Sequence, residues 1–305
     1  MEHKLAIGLC AYKRPEMLLT CLKSLDDMKR LDDLNFCIII ADNDIEASSK
    51  ETVEEFKNNT DIDLYYKIEP GRGIPFARNN ILRQAEKLGI TELAFIDDDE
   101  YVSKDWLINF WEYYIQSDAD VVRGLVDTVY PLDTPEWIVK GQFYKRGNHS
   151  TGTIFHSSNT GNVLFDFIKL TKDWKLIFDE SYGTKGGSDT DFFKRANARG
   201  AVIMWVSNAV VYETLTEDRF SLTFLLKRKF RTRNHDKTLK NLSVSKWLKI
   251  LIRAVLSIIK GIVFLPFRLI IGKHEVVKSL VSIVSGTAKL LGLFNIYIKW
   301  EEYKK

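Results

Sequence analysis

Apolar runs that stop abruptly in carboxylates dominate the first hundred residues and restrict what this chain can fold into. Phe36 to Ala41 runs into Asp42-Asn43-Asp44, and Leu93 to Ile96 runs into Asp97-Asp98-Asp99-Glu100. Two more apolar segments, Lys4 to Ala11 and Leu64 to Ile68, complete a set of short buried strands. Between them lie helical stretches: Pro15 to Leu25, with Leu18, Leu19, Leu22 and Leu25 on one side, then Lys50 to Lys57 and Pro75 to Leu88. Strands alternating with helices predict an α/β fold with a mostly parallel, helix-covered sheet. In such sheets ligands bind beyond the carboxyl ends of the strands, which is where Asp42 and Asp97 to Asp99 fall.

The chain has 305 residues, 45% of them apolar, enough to bury a large core. Cys10, Cys21 and Cys37 are odd in number and lack CxxC spacing, which argues against a disulfide framework or a zinc site and for a reducing cytoplasm. The opening MEHKLAIGLCAYKRPE reaches a Lys-Arg-Pro turn too soon to read as a signal peptide. His149, His156 and His235 have no ligand spacing and are assigned no metal. From Val121 to about Val211 short strands mix with Gly-, Ser- and Thr-rich loops, as an acceptor-binding half would.

Charge divides the chain unevenly. Residues 227–305 carry 18 Lys/Arg against 4 Asp/Glu, whereas the residues before them carry 26 against 37. After Asn241 the cations accompany apolar residues: Lys246, Lys249, Arg253, Lys260 and Arg268 fall in one sector of a helix about 100° wide, at ~100° per residue. Charges interrupt the windows that would span a bilayer, so the predicted helix lies on an anionic membrane surface with Trp247 as anchor. Pro266 is expected to end or kink it, and a second apolar segment, Val276 to Leu293, follows. Two core helices packed on the body are the other reading. Nucleic acid is disfavoured as a partner because the cations line an apolar helix without interleaved aromatics.

Several motifs carry chemistry. The triplet Asp97-Asp98-Asp99 concentrates like charges at a strand end, tolerable chiefly with a cation, and hard oxygens suit Mg²⁺ or Mn²⁺. Taken alone it also reads as an acidic surface turn. Gly71-Arg72-Gly73 and the helix opening at Pro75 place Arg72 and Arg78 where they can meet a diphosphate. GxGxxG and GxxxxGK[ST] are absent, so dinucleotide and P-loop readings lack support. Asp189 in Gly186-Gly187-Ser188-Asp189-Thr190-Asp191 is suited either to proton abstraction or to capping a helix.

In order, Cys10-Ala11-Tyr12-Lys13-Arg14-Pro15, Ala41-Asp42-Asn43, Gly71-Arg72-Gly73, Ala77-Arg78-Asn79, Phe95-Ile96-Asp97-Asp98-Asp99-Glu100, Gly161-Asn162-Val163-Leu164-Phe165 and Gly186 to Phe193 resemble glycosyltransferase family 2. The likeness is greatest to bacterial exopolysaccharide enzymes of the succinoglycan-biosynthesis type. The resemblance implies a GT-A fold, a nucleotide-diphosphate sugar donor, a divalent metal, Mn²⁺ or Mg²⁺, and inversion at the anomeric carbon. It further implies that Tyr12, Arg14, Asp42, Arg72, Arg78, Asp97 and Asp98 contact the donor, with Asp42 at the base. By the same likeness Asp99, Asp97 and Glu213 hold the metal, while Gly161, Asn162 and Ser188 face the acceptor. Asp189 is the general base, with Asp191 its rival, and Ser188 stands where the family carries Glu.

The basic run Lys227 to Arg233 does not match the Gln/Arg-x-x-Arg-Trp motif of processive synthases, which points to one sugar per binding event. The expected organisation is a GT-A domain over 1–240, split at 120 into donor and acceptor halves, followed by a basic amphipathic region over 241–305. The expected activity is transfer from a UDP-sugar to a lipid-linked or glycan acceptor at the inner face of the cell membrane. Two other readings stand beside it: a membrane-bound scaffold subunit that has lost catalysis, for which Ser188 speaks, and a nucleotidyltransferase on a similar sheet.

Overall fold

The computed structural model describes residues 3–183, 186–234 and 242–298, so that His235 lies outside the described residues. The chain divides into two compact units. One comprises Met1–Val129 and Arg146–Thr214, the other Tyr130–Lys145 and Leu215–Lys305.

The first unit holds the sheet. β1 (Leu5–Ala11), β2 (Phe36–Asp42), β3 (Asp63–Ile68) and β4 (Glu92–Asp97) pair in parallel in the order β3-β2-β1-β4. α1 (Pro15–Asp26), α2 (Lys50–Lys57) and α3 (Ile74–Leu88) make the crossovers. Beyond β4 the order continues β8 (Asn162–Asp166), β6 (Val121–Val129), β9 (Ile203–Thr214) and β5 (Glu100–Val102), with β7 (Ile154–Phe155) also on β9. β8 runs antiparallel to β4 and β6, while β6 and β9 are parallel, so most paired residues remain parallel. The sequence places the carboxylates just after the strands; the structure makes Asp42 and Asp97 the last strand residues themselves.

β1 is buried on both faces, as a central parallel strand requires. Leu5, Ile7 and Leu9 join Leu18, Leu22 and Leu25 of α1 and Trp106, Leu107 and Phe110 of α4 (Trp106–Gln116) on one side of the sheet. Ala6 meets the other side, where Ala77 and Ile81 of α3 pack with Phe95, Phe165, Phe178 and the paired Phe192 and Phe193 of α6 (Ser188–Ala198). Burying each large apolar side chain is worth about 1.5–3 kcal/mol, so these layers fix α3 and α6 against the strand ends.

The second unit is helical. α5 (Glu136–Gly141), α7 (Leu222–Asn234) and α9 (Lys273–Leu293) surround a small separate core of Trp137, Ile138, Tyr144, Leu215, Leu225 and Val277, and α8 (Val244–Ile271) packs on α9. That core explains why the compact division takes in 130–145 and starts again at Leu215, instead of making a single cut near 240. Of the two expectations at Pro266, an end or a kink, the end is corrected, because α8 runs on to Ile271. Proline removes one ladder hydrogen bond, but the helix ends only where Gly272 adopts φ 141, a backbone state that L side chains rarely take.

Where β6 shifts register against β9 between Gly124 and Leu125, the exposed ladder carbonyls need donors. Asn162 supplies them: Nδ2 donates to Leu125 O at 2.9 Å and Ala209 O at 2.8 Å, while Oδ1 accepts from Trp106 Nε1 at 2.9 Å. Replacing Asn162 with Ala strands three buried polar groups and is expected to cost roughly 2–4 kcal/mol in equilibrium urea unfolding. A cost near zero would show that the bulge does not depend on this side chain.

Candidate active site

Strand β4 delivers Asp97 at its end, and the chain turns through Asp98 and Asp99 before entering β5 at Glu100. Glu100 faces back: its Oε2 accepts the Asp97 N–H at 3.1 Å. Gly161 lies against the pair, where a Cβ would come within 2.9 Å of Glu100 Oε1 and 3.3 Å of Asp97 Oδ2, leaving no room for a side chain. From the loop after β1, Arg14 reaches over the cluster, with NH1 2.6 Å from Asp99 Oδ2 and NH2 3.3 Å from Asp98 Oδ1. The Tyr12 N–H donates to Asp98 Oδ2 at 3.3 Å, and the Tyr12 side chain itself is exposed.

This is a strained charge balance. Burial pushes the Asp98 carboxyl up to about 7, with Arg14 pulling down and Asp99 and Asp97 pushing up. Burial also raises Asp97, with Asp99 and Asp189 adding to the rise and Arg78 and Arg146 opposing it. Glu100 is held well above the usual carboxylate range by burial and by Asp97. Too many carboxylates share too little water.

Helix α3 brings a cation to the same place. Arg78 is buried, donates from NH1 to Ser188 Oγ at 2.9 Å, stacks over Phe178 and has NH2 3.9 Å from Asp189 Oδ2. Its neighbour Asn79 holds the facing segment, exchanging hydrogen bonds with the Phe178 main chain and donating to Glu180. Asp189 therefore sits in the first turn of α6, beside Arg78 and close enough to Asp97 to raise its pKa. Asp191, two residues on, is tied instead to Arg195 at 2.8 Å. Ser188, expected at the acceptor, is fully buried and accepts the hydrogen bond from Arg78.

The loop after β2 is organised by Asp42. Asp42 is fully buried, and its carboxylate accepts the Tyr66 hydroxyl at 2.7 Å and the N–H groups of Asp44 and Ser49 at 3.0 and 3.1 Å. These bonds close the loop and fix the orientation of the carboxylate. Asn43, which spacing did not single out, pins the glycine turn by donating to Glu69 O and Gly71 O and accepting from Gly73 N. Arg72 within that turn is exposed and makes no ion pair among the described residues.

On β9, Glu213 pairs with Arg146, a residue in a loop without periodic pattern, to which nothing in the sequence drew attention. Asn162 bonds the carbonyls of the bulge, and Gly161 serves by being small. Among the described residues no group of three or more His, Cys, Asp or Glu side chains is arranged to hold a metal. The all-oxygen pair of Asp97 and Asp99 nevertheless fits a hard divalent cation, since Arg14 already lies on Asp99 as a positive charge would. Any such cation takes its remaining ligands from water and substrate phosphates.

A parallel nucleotide-binding sheet continued by antiparallel strands, with an acidic cluster at β4 and a carboxylate at the start of α6, defines the GT-A class of sugar transferases. The family model described as Glycosyl transferase family 2 matches residues 6–174. The succinoglycan biosynthesis protein ExoM of Rhizobium meliloti (strain 1021) is 35% identical over 230 residues, covering 74% of this chain and 72% of ExoM. The chain belongs to glycosyltransferase family 2, and it is a glycosyltransferase. Among solved structures, residues 1–349 of S. aureus TarS superpose with a TM-score of 0.56 at 16% identity, covering 98% of this chain and 94% of that one. The same TarS region in complex with UDP-GlcNAc gives 0.56 at 15% identity, and at these identities the likeness concerns the fold.

The raised Asp98 carboxyl has a definite sign. Its folded pKa of about 7 exceeds the ordinary value of 3.8, so its contribution to stability is fully present below about pH 4. That contribution is lost as pH rises through about 7. Metal-free protein is expected to melt lower at pH 8 than at pH 5.5, and Asp98→Asn to flatten that slope. Parallel slopes for the two proteins would place the titration elsewhere.

Proposed function

We propose that this enzyme is an inverting transferase that moves one sugar from a nucleoside-diphosphate sugar, a UDP-sugar, to a lipid-linked or glycan acceptor in exopolysaccharide synthesis. The observation that carries the reading is the convergence of Asp189 and Arg78 on the Asp97–Asp99 cluster from separate elements. The name of ExoM supports the pathway class, and the TarS complex with UDP-GlcNAc supports the donor class.

The chemistry follows from the placement. Asp189 takes the proton of the acceptor hydroxyl as that oxygen attacks the anomeric carbon, within a reach of about 2.6–3.2 Å once substrates are bound. The bond from that carbon to the diphosphate oxygen breaks in the same displacement, and the configuration inverts. Arg78 orients Asp189 beside the acidic cluster. A divalent cation held by Asp97 and Asp99 supplies neutralisation of the diphosphate charge when bound.

The C-terminal helices support an acceptor presented at a membrane surface. Both α8 and α9 are long and apolar enough to cross a membrane, with windows holding at most two charges, which corrects the expectation that charges break every such window. The arrangement around α8 nonetheless favours an in-plane position. Ala254 and Gly261 are buried, and Ser257 donates to Ser282 O of α9. Leu248, Ile252, Leu256, Ile259, Ile262 and Val263 form an exposed apolar face. Lys246, Lys249, Arg253 and Lys260 occupy the sector between these two faces, placed as on a helix lying at headgroup level at the inner, cytoplasmic side.

Two outcomes test these points. Asp189→Asn is expected to lower kcat by about 10²–10⁴ while leaving UDP affinity in Mn²⁺ within about twofold, measured by UDP release from a panel of UDP-sugars and by calorimetry. Unchanged turnover would remove Asp189 from the role of base. In flotation with vesicles containing phosphatidylglycerol, Lys249→Glu with Arg253→Glu is expected to reduce binding about tenfold at moderate salt. Binding that survives both changes and resists alkaline carbonate would instead mark α8 as a spanning helix.

A further inference from the structure

Arg123 is a cation without a counter-ion among the described residues. It projects from β6, half-buried between the faces of Phe155 and Trp205, whose ring centroids lie 4.7 and 5.3 Å from its guanidinium carbon. Its NH1 donates to Ser157 O at 3.0 Å, but its Nε has no partner, and no carboxylate lies within ion-pair distance of it among the described residues. A half-buried guanidinium that lacks an anion is costly, since burial removes solvation that nothing replaces. Burial and the nearby charge of Arg146 both depress its pKa, so a second cation makes the situation worse.

The connection to Arg146 is structural as well as electrostatic. Trp205, under Arg123, donates from Nε1 to Asn148 Oδ1 at 3.0 Å, and Asn148 lies two residues beyond Arg146. Arg146 in turn is a third exposed, acts electrostatically on Asp97 and Glu100 and is held by Glu213. A further unpartnered donor stands nearby: the Thr160 hydroxyl, 2% exposed and next to Gly161, has no hydrogen-bond partner. Arg146 beside the acidic cluster, Arg123 electrostatically linked to it and the unspent Thr160 hydroxyl are all capable of donating. Of the two guanidiniums only that of Arg146 has a carboxylate partner among the described residues.

We propose that Arg146, backed by Arg123 and Thr160, forms a phosphate-oxyanion subsite of the active site, engaged when Arg146 exchanges its bond to Glu213 for a substrate phosphate. The proposal rests on the transferase reading and deepens it, because it implies a substrate phosphate at this wall of the site. Two sources share that chemistry: the diphosphate of the donor and a phosphate carried by the acceptor. Arg146 is suited to either because a planar fork matches phosphate oxygens.

The test uses the full-length protein, calorimetry and three probes: uridine, UDP with Mn²⁺, and inorganic pyrophosphate added with UDP already saturating. Arg146→Met keeps the side-chain stem and removes the charge. If the subsite takes the donor diphosphate, this variant weakens UDP about tenfold or more while uridine binding stays unchanged. If it takes an acceptor phosphate, UDP binding stays unchanged and the pyrophosphate bound beside UDP is lost. Glu213→Gln releases Arg146 and is expected to act in the opposite direction, tightening the same probe, which a variant that merely disturbs folding would not do. Wild-type affinities for UDP and pyrophosphate in both variants would overturn the subsite alone. Failure of the wild type to bind either UDP or uridine would count against the donor reading, while the pyrophosphate arm would still decide the subsite: pyrophosphate bound by the wild type and lost in Arg146→Met supports it, and no such difference overturns it.

Discussion

Carboxylates crowded at the buried end of β4 are the constraint on which the rest of the site depends. Asp97, Asp98, Asp99 and Glu100 are consecutive, and a strand end surrounded by apolar packing cannot hold them all charged unaided. Cations come from three separate segments: Arg14 after β1, Arg78 on α3 and Arg146 before β7. Their convergence is a property of the sheet, because parallel strands direct their carboxyl ends to one edge and each crossover returns the chain to it. The acids thus explain the positions of the arginines, and the phenylalanine layer beneath α3 and α6 explains why Arg78 and Asp189 meet.

Polar groups in the first unit fall into two kinds. Asp42, Asn43, Asn79, Asn162 and Ser188 are bonded internally and hold loops, a bulge or another side chain in place. Asp99 and Asp189 keep partial exposure, with side chains 15% and 18% accessible. The separation is energetic. A buried polar group with all partners present is inexpensive and rigid, and the same group left half-satisfied is costly, so it persists only where a ligand completes it.

The C-terminal unit follows a different logic, with an apolar face left open on α8 and small residues against α9. Ala254 and Gly261 let the two helices approach closely, and the exposed side accumulates Ile, Leu and Val far beyond what an aqueous surface tolerates as a contiguous patch. Placing cations beside that face matches the chemistry of an anionic interface.

Much of this was legible in the chain itself. Apolar runs and helical spacing located β1 to β4 and α1 to α3 to within a residue or two, because local periodicity follows from which face is buried. The ordered motifs also marked Arg14, Arg78, Asp97, Asp99 and Asp189, which the fold brings to one region. What spacing could not show is where each polar side chain spends its hydrogen bonds. Asp42, Asn162, Ser188 and Glu213, expected at ligands, are bonded to Tyr66, the bulge carbonyls, Arg78 and Arg146, partners that lie 24 to 110 positions away. The same holds for Arg123 and for the core that joins Trp137 to Val277. Sequence alone determined the alternation of elements and the chemistry at strand ends, since both are local, whereas only the tertiary structure decided which carboxylates stay available, since satisfaction of a buried polar group depends on residues distant in the chain.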